Sequence, residues 1–304
     1  MRPSIPISIQ PPGKRARSFD RRTAVFLYPA LTFMIVVSLY TTIYSLYLAL
    51  HDISLVKPPP YPFFGLQNFA AVFTDARAIS AFGHSLQYVF WAVGIEFVLG
   101  VGIAVYLNHD FVGRGVVRAL LLIPMIMTPV VAGLIWRIFY DPNAGLINYL
   151  MTLVNPKGGL DWLGSPQLAM GSLIVADVWQ WTPFVILIAM ASLDSMPAEP
   201  VEAALIDGAT GIQMFRFVTL PLLWPTLVIA LLLRLVDGFK AFDLIYVMTR
   251  GGPALATETA NMYAYIKGFN TFNLSFAVAI AFILTLVVSF GLTTLYRLAT
   301  RATQ

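Results

Sequence analysis

The sequence predicts an all-α membrane protein with six transmembrane helices. Hydrophobic residues make up 58% of the 304-residue chain and charged residues 11%. A soluble domain carries roughly 25% charge, so polar side chains are too few here to cover a water-facing surface. The apolar residues also gather into runs of about 20, the length that crosses a hydrocarbon core as helix. The six runs are 24–50, 84–107, 116–139, 168–193, 220–246 and 272–298.

Ahead of the first run, a tail (residues 1–23) carries Arg2, Lys14, Arg15, Arg17, Arg21 and Arg22. Positive segments stay in the cytoplasm, so the N-terminus is predicted inside. Six crossings then put the loop at 108–115, the loop at 194–219 and the C-terminus inside as well, with Arg114, Arg216 and Arg301. The outer loops hold Lys57, Arg77, Lys157, Arg250 and Lys267, scattered among acids and prolines. Membrane topology therefore accounts for the net charge of +4, and no nucleic-acid partner is inferred. The first run is too long for a signal-peptide core and lacks a small-residue cleavage site, so it reads as a retained anchor. Residues 24–304 form one transmembrane domain.

Within the spans, Gly94, Gly100 and Gly102 of the second permit close helix contact. Glu96 stands alone there and reads as structural. Pro124, Pro129, Pro183, Pro221 and Pro225 lie inside or at the edges of spans, where neighbouring helices can satisfy freed carbonyls. Arg137, near the outer boundary, is placed to snorkel.

The loop before the fifth span reads EAALIDGATGIQMFRFVTLPLLWP, residues 202–225. Pro197 suits a helix start, and Glu199 and Glu202 follow near the positive end of the helix dipole. Gly208 is a natural stop, and Thr210 followed by Gln213 has the form of a capping box that opens a second helix. Ile212, Phe215 and Val218 recur at helical spacing as an apolar docking face. An amphipathic helix lying on lipid is the simplest alternative. However, Arg216 is the one cation here against Asp194, Glu199, Glu202 and Asp207, and anionic lipid would repel such a stretch. A protein partner is the better match.

Glu202, Ala203, Ala204, Asp207, Gly208, Ala209, Phe215, Leu220, Pro221 and Pro225 resemble the EAA signature of permease subunits in binding-protein-dependent ABC importers. The runs LLLIPMIMTPVVAGLIWRIFYDPNAGLIN, DVWQWTPFVILI, RLVDGFKAFDLIYVMTRGGPALATET and YAYIKGFN resemble segments of the carbohydrate-uptake branch, and Gly251, Gly252 and Pro253 resemble its maltose-type first permease. The resemblance covers the chain from the first span onward. The outer loop at 51–83 is short, so the large external domain and extra spans of the maltose protein are absent. The resemblance implies a compact six-span, type I importer fold in the cytoplasmic (inner) membrane of a bacterium or archaeon, surrounded by lipid. It further implies a heterodimer with a second permease and a cytoplasmic ATPase dimer that binds ATP and Mg. Glu202, Ala203, Ala204, Asp207, Gly208, Phe215, Leu220 and Pro221 would couple to that ATPase. An external solute-binding protein would meet Gly251, Gly252 and Pro253.

For the substrate pathway, ionisable groups inside a bilayer mark pathways or buried pairs. Asp177, Gln180 and Trp181 converge on one side of the fourth span, beside Trp179. On the fifth, Arg234, Asp237, Lys240 and Asp243 recur every three residues, with Phe239 and Phe242 between. Hydrogen-bonding groups mixed with aromatic rings suit a sugar or other polyol. Alternatively, Asp237, Lys240 and Asp243 neutralise one another and hold helices in register. Arg137, Arg234 and Lys240 keep phosphorylated or sulfonated sugars open.

Several classes are excluded or weakened. The chain has no cysteine, hence no disulfide framework, thiolate nucleophile or Cys-bound metal. His51, His84 and His109 are scattered without metal-ligand or catalytic spacing. No G-x-x-x-x-G-K-[ST] occurs, so this chain binds no ATP through a P-loop, and no catalytic residue or cofactor is assigned to it. A secondary transporter should show an internal repeat, and none is evident. An importer permease for a non-sugar solute stays open as the alternative.

Overall fold

The computed structural model describes residues 21–109, 111–154 and 159–301. Tail residues Arg2, Lys14, Arg15 and Arg17, together with Lys157, lie outside the described residues, as do the side chains of Arg21, Arg22 and Arg301. The chain divides into two compact units, residues 1–47 and 48–304.

Nearly all of helix α1 (Arg21–Leu50) belongs to the first unit. Its tyrosines Tyr40, Tyr44 and Tyr47 stack along one side with ring centroids 6.0 and 6.4 Å apart. Thr41 and Thr42 return their hydroxyls to the carbonyls of Val37 and Ser38, so polar side chains need no water.

The second unit contains α2 (Gln67–Thr74), α3 (Ala76–Tyr106), α4 (Arg114–Ile126), α5 (Pro129–Phe139), α6 (Leu146–Val154) and α7 (Ala169–Asp194). It continues with α8 (Ala198–Ile206), α9 (Gly211–Met214), α10 (Leu220–Lys240), α11 (Asp243–Met248), α12 (Ala260–Tyr265) and α13 (Leu274–Arg301). Among the described residues, five helical stretches are long and apolar enough to cross a membrane, and six if the bent pair α4 and α5 counts as one.

That bend corrects the third predicted span. Residues 116–139 do not form one straight helix; α4 and α5 meet at 97°. Pro129 explains it, because its ring pushes the preceding residue out of the helical region, and Thr128 is extended at ψ 148°. The Thr128 hydroxyl then caps α5, accepting from the Val131 N–H. The fifth predicted span is also interrupted, at Ala241 and Phe242 between α10 and α11. Lys240 closes the last turn of α10 and Asp243 opens the first turn of α11, each carrying the sign that its helix end favours.

Packing centres on α3 against α7. Lipid tails are as apolar as leucine, so close van der Waals contact rather than water exclusion must hold such helices together. The interface is accordingly rich in small side chains: Ala92, Ala104, Ala176 and Ala189 are fully buried. Gly100 completes it, since a Cβ there would stand 2.6 Å from that of Val185. Gly94 and Gly102 face open space, so of the three glycines expected at contacts only Gly100 makes one. A second cluster packs Tyr263, Phe276 and Ile280 of α12 and α13 onto Ala78 and Ala81 of α3.

Candidate functional site

Three spans each bring one ionisable side chain to a single buried point. Arg234 of α10 donates Nε and Nη2 to the two carboxylate oxygens of Glu96 on α3, at 2.7 and 2.9 Å. The same Nη2 donates to Oδ2 of Asp177 on α7. The guanidinium also lies over the Trp181 ring, 5.1 Å from its centroid. All three charged groups are buried. The planar fork of arginine suits this task, because one guanidinium can engage two carboxylates in fixed directions. Glu96 is therefore paired rather than alone in its span.

Beside the triad opens a cleft of about 270 Å³. Six of the seven side chains expected on the substrate pathway line it: Asp177, Gln180, Trp181, Asp237, Lys240 and Asp243. Trp179 does not; it packs edge-on against Trp136 at 5.8 Å in the adjoining core. The break in the fifth span creates the cleft wall, bringing Ala241 and Phe242 to its edge. This also corrects the charge ladder: among the described residues no ion pair joins Asp237, Lys240 and Asp243, and Arg234 turns to α3 and α7 instead. All three unpaired groups are exposed. Gln180 donates from Nε2 to the Met127 carbonyl, which the bend between α4 and α5 had freed, at 3.0 Å. Its Oε1 is buried with no hydrogen-bond partner among the described residues.

At one end of α10 lies the 194–219 loop. α8 ends in a Schellman turn: Ala209 N–H donates to Ala204 O at 3.0 Å and Gly208 N–H to Leu205 O at 3.1 Å, with Gly208 at φ +77°. Thr210 and Gln213 form the expected capping box, with the Thr210 N–H donating to Oε1 at 2.8 Å and the Gln213 N–H to Oγ1 at 3.4 Å. A π-helical segment, Phe215–Thr219, then leads into α10. It adds a residue to the turn, so the predicted face of Ile212, Phe215 and Val218 does not hold. Ile212 is 81% exposed, whereas Phe215 and Val218 are half-buried. The exposed apolar residues are Leu205, Ile206, Ile212 and Phe217, with Ile206 at 86%. Around them Glu202, Ala203, Asp207 and Gly208 are exposed, Ala204 is half-buried, and Leu220 and Pro221 open α10. Arg114 and Arg118 of α4 pair with Asp194 at 3.4 and 3.5 Å, tying the start of this loop to a neighbouring helix.

The 250–259 loop follows α11. Gly251 is buried at φ +84°, and Gly252 and Pro253 are half-buried; the exposed tip is Ala254 and Leu255. Gly251 is a bend residue, because a Cβ would press on Met262 at 3.2 Å and its φ disfavours any side chain. The loop is held to α3 by Arg77, whose Nε and Nη2 each reach the Glu258 carboxylate at 2.7 Å. Asp75 caps α3 through the Arg77 and Ala78 N–H groups and accepts from Tyr263 Oη at 2.6 Å. Burial works against the Asp75 charge. The Tyr263 hydroxyl, those two backbone donors and Lys267 outweigh it and hold the carboxyl below its ordinary value of 3.8.

The unit thus combines apolar spans, two of them broken, with a polar cleft at one break and an exposed loop at the foot of α10. The chain matches the family described as binding-protein-dependent transport system inner membrane component over residues 96–303, and it belongs to that family. It is 39% identical to a probable ABC transporter permease protein of Sinorhizobium fredii, across 90% of this chain and 89% of that one. It is 35% identical to the trehalose/maltose transport system permease protein MalF of Thermococcus litoralis, across 90% and 91%. Among solved structures it resembles a bacterial alginate ABC transporter in complex with alginate pentasaccharide-bound periplasmic protein, with TM-score 0.80, 20% identity, and coverage of 93% and 96%. The fold is that of a type I ABC importer permease, and the chain is a permease subunit of an ABC importer.

Proposed function

We propose that this permease carries a sugar inward, as one half of a heterodimer with a second, related permease. The observation that carries this reading is the cleft. Asp177, Asp237, Lys240, Asp243 and the unpaired Gln180 Oε1 offer hydrogen bonds to hydroxyls, while Trp181 and Phe242 offer ring faces to sugar C–H groups. Relatedness to a trehalose/maltose permease supports the same class.

In this reading the chain sits in the cytoplasmic membrane of a bacterium or archaeon with both termini inside. An external binding protein delivers the sugar against the 250–259 loop. Gly251, Gly252 and Pro253 shape that loop, and its tip, Ala254 and Leu255, makes the contact. A cytoplasmic ATPase dimer, carrying ATP and Mg, receives α8 and α9. Exposed Leu205, Ile206 and Ile212 fill its cleft, and Glu202 and Asp207 rim the contact. Ala203 and Ala204 keep the helix surface low, Gly208 permits the turn, and Phe215, Leu220 and Pro221 carry the movement into α10. Nucleotide shifts the helices by binding one arrangement more tightly than the other.

The test is ATPase activity of the purified complex in lipid, with its binding protein empty or loaded from a panel of sugars, amino acids and phosphate. Stimulation by one loaded sugar is expected. Stimulation confined to a non-sugar solute would replace the substrate class and leave the importer reading standing.

A further inference from the structure

The sequence alone counts Arg137, Arg234 and Lys240 as cations in the spans and so leaves anionic sugars open. The structure sets two carboxylates against Arg234. Arg234 is held between two carboxylates, through Nε and Nη2 to Glu96 and through Nη2 to Asp177. One face of its guanidinium is covered by Trp181. Its positive charge is thus opposed by two negative ones within the chain, and only its Nη1 donors are left without a partner among the described residues.

Arg137 does not take its place, because its Nη1 donates to the Val247 carbonyl at 3.3 Å and the residue does not line the cleft. Arg250, at the end of α11, lies over the Tyr246 ring, 5.9 Å from its centroid, and is likewise not a lining residue. Among the described residues, Lys240 is thus the one cation of the cleft free of a carboxylate, and Asp237 and Asp243 stand three residues to either side of it.

The charge of this wall follows from its formal groups. Asp177, Asp237 and Asp243 oppose Arg234 and Lys240, which leaves one net negative charge, and Glu96 behind Arg234 makes it two. If Glu96 holds a proton the sum is still negative, so the sign does not depend on its state. Asp237 and Asp243 are the two groups that set it, being exposed and unpaired.

We infer that this cleft selects by charge: it passes neutral or cationic sugars and rejects anionic ones, with Asp237 and Asp243 as the excluding residues. The inference rests on the sugar-import reading and narrows it. It also separates this permease from its fold neighbour, which imports the acidic polysaccharide alginate. A like charge brought beside these carboxylates is disfavoured unless it is countered, and such repulsion discriminates between otherwise similar solutes.

The experiment uses the complete importer in proteoliposomes with its binding protein. Three probes are compared: a transported neutral disaccharide and two derivatives in which one hydroxymethyl group is replaced by carboxylate or by aminomethyl. Binding-protein affinity is measured separately for each, and uptake is expressed per loaded binding protein, so that selection by the delivering protein is divided out. The carboxylate derivative is expected to move about tenfold or more slowly than its parent, and the aminomethyl derivative within about threefold. In the double variant D237N/D243N the ratio of carboxylate derivative to parent should rise toward one, whatever the variant does to the parent's own rate. Equal uptake of carboxylate derivative and parent in the unaltered importer would overturn the inference. So would a slow carboxylate derivative whose ratio D237N/D243N leaves unchanged. Failure of every sugar to move, with another solute transported, would instead remove the sugar reading itself.

Discussion

Glu96, Asp177 and Arg234 are buried and bound to one another, while Glu202, Asp207, Leu205 and Ile206 of the 194–219 loop stand exposed around a precisely capped turn. Both regions break the pattern expected of their surroundings. Charge sits in the bilayer interior in one case, and large aliphatic side chains sit in water in the other. The first anomaly is resolved inside the chain, since the two carboxylates share one guanidinium within hydrogen-bond reach. The second is not, and its resolution has to come from another molecule. Satisfaction within the chain thus marks architecture, and its absence marks an interface. The cleft falls between the two: Arg234 and Asp177 belong to the satisfied set, and Asp237, Lys240 and Asp243 to the open one.

The largest effect should follow from Arg234→Met. It strands two buried carboxylates, and breaking a buried pair typically costs about 3–5 kcal/mol. The variant should fail to accumulate as a monodisperse, detergent-extracted complex in size-exclusion chromatography. Accumulation equal to the unaltered protein would erase the distinction drawn above, since the triad would then not be holding α3, α7 and α10 together.

The loop should respond differently. Gly208→Ala meets no atom within 4 Å, so its cost is the left-handed backbone alone, about 1–2 kcal/mol. Such a variant should assemble normally but move several-fold less sugar per ATP hydrolysed, because it reshapes the turn between α8 and α9 that is proposed to dock the ATPase. Normal coupling would dismiss Gly208 from the role proposed for it.

The smallest effect concerns the 250–259 end. Asp75 has a folded-state pKa below 3.8, so its cap on α3 contributes stability that is complete above that value and is lost as the pH falls through the lower folded one. Asp75→Asn should therefore lower the melting temperature at neutral pH, with the difference from the unaltered protein closing as the pH falls below 3.8 and through the lower folded value. A difference independent of pH would mean that the carboxylate charge adds nothing to the cap.

Much of this was legible in the residues, for identifiable reasons. Span positions follow from apolar runs, because the bilayer sets a length. The Schellman turn and capping box follow from Gly208, Thr210 and Gln213, because these motifs are local. The triad was not legible: Glu96 and Arg234 are 138 residues apart, and nothing local says which charges meet. Opposite charges at interior depth in three different spans were the available signal. The break at Ala241 and Phe242 was hidden as well, since neither residue is a helix breaker and tertiary contacts decide it. The half-buried setting of Phe215 and Val218 depended on a π-helical turn that spacing at i and i+3 cannot anticipate.

The central claim is that the exposed loop docks a cytoplasmic partner. The chain has no cysteine, so single cysteines can be placed without background. Ile206→Cys and Leu255→Cys would be introduced separately into the importer in sealed vesicles of known orientation, then labelled from each side and cross-linked. Ile206→Cys should label only from the cytoplasmic face, form an adduct with the ATPase subunit, and lose its label accessibility when that subunit is bound; Leu255→Cys should label only from the opposite face. Labelling of Ile206→Cys from outside, or an ATPase adduct formed by Leu255→Cys instead, would contradict the account.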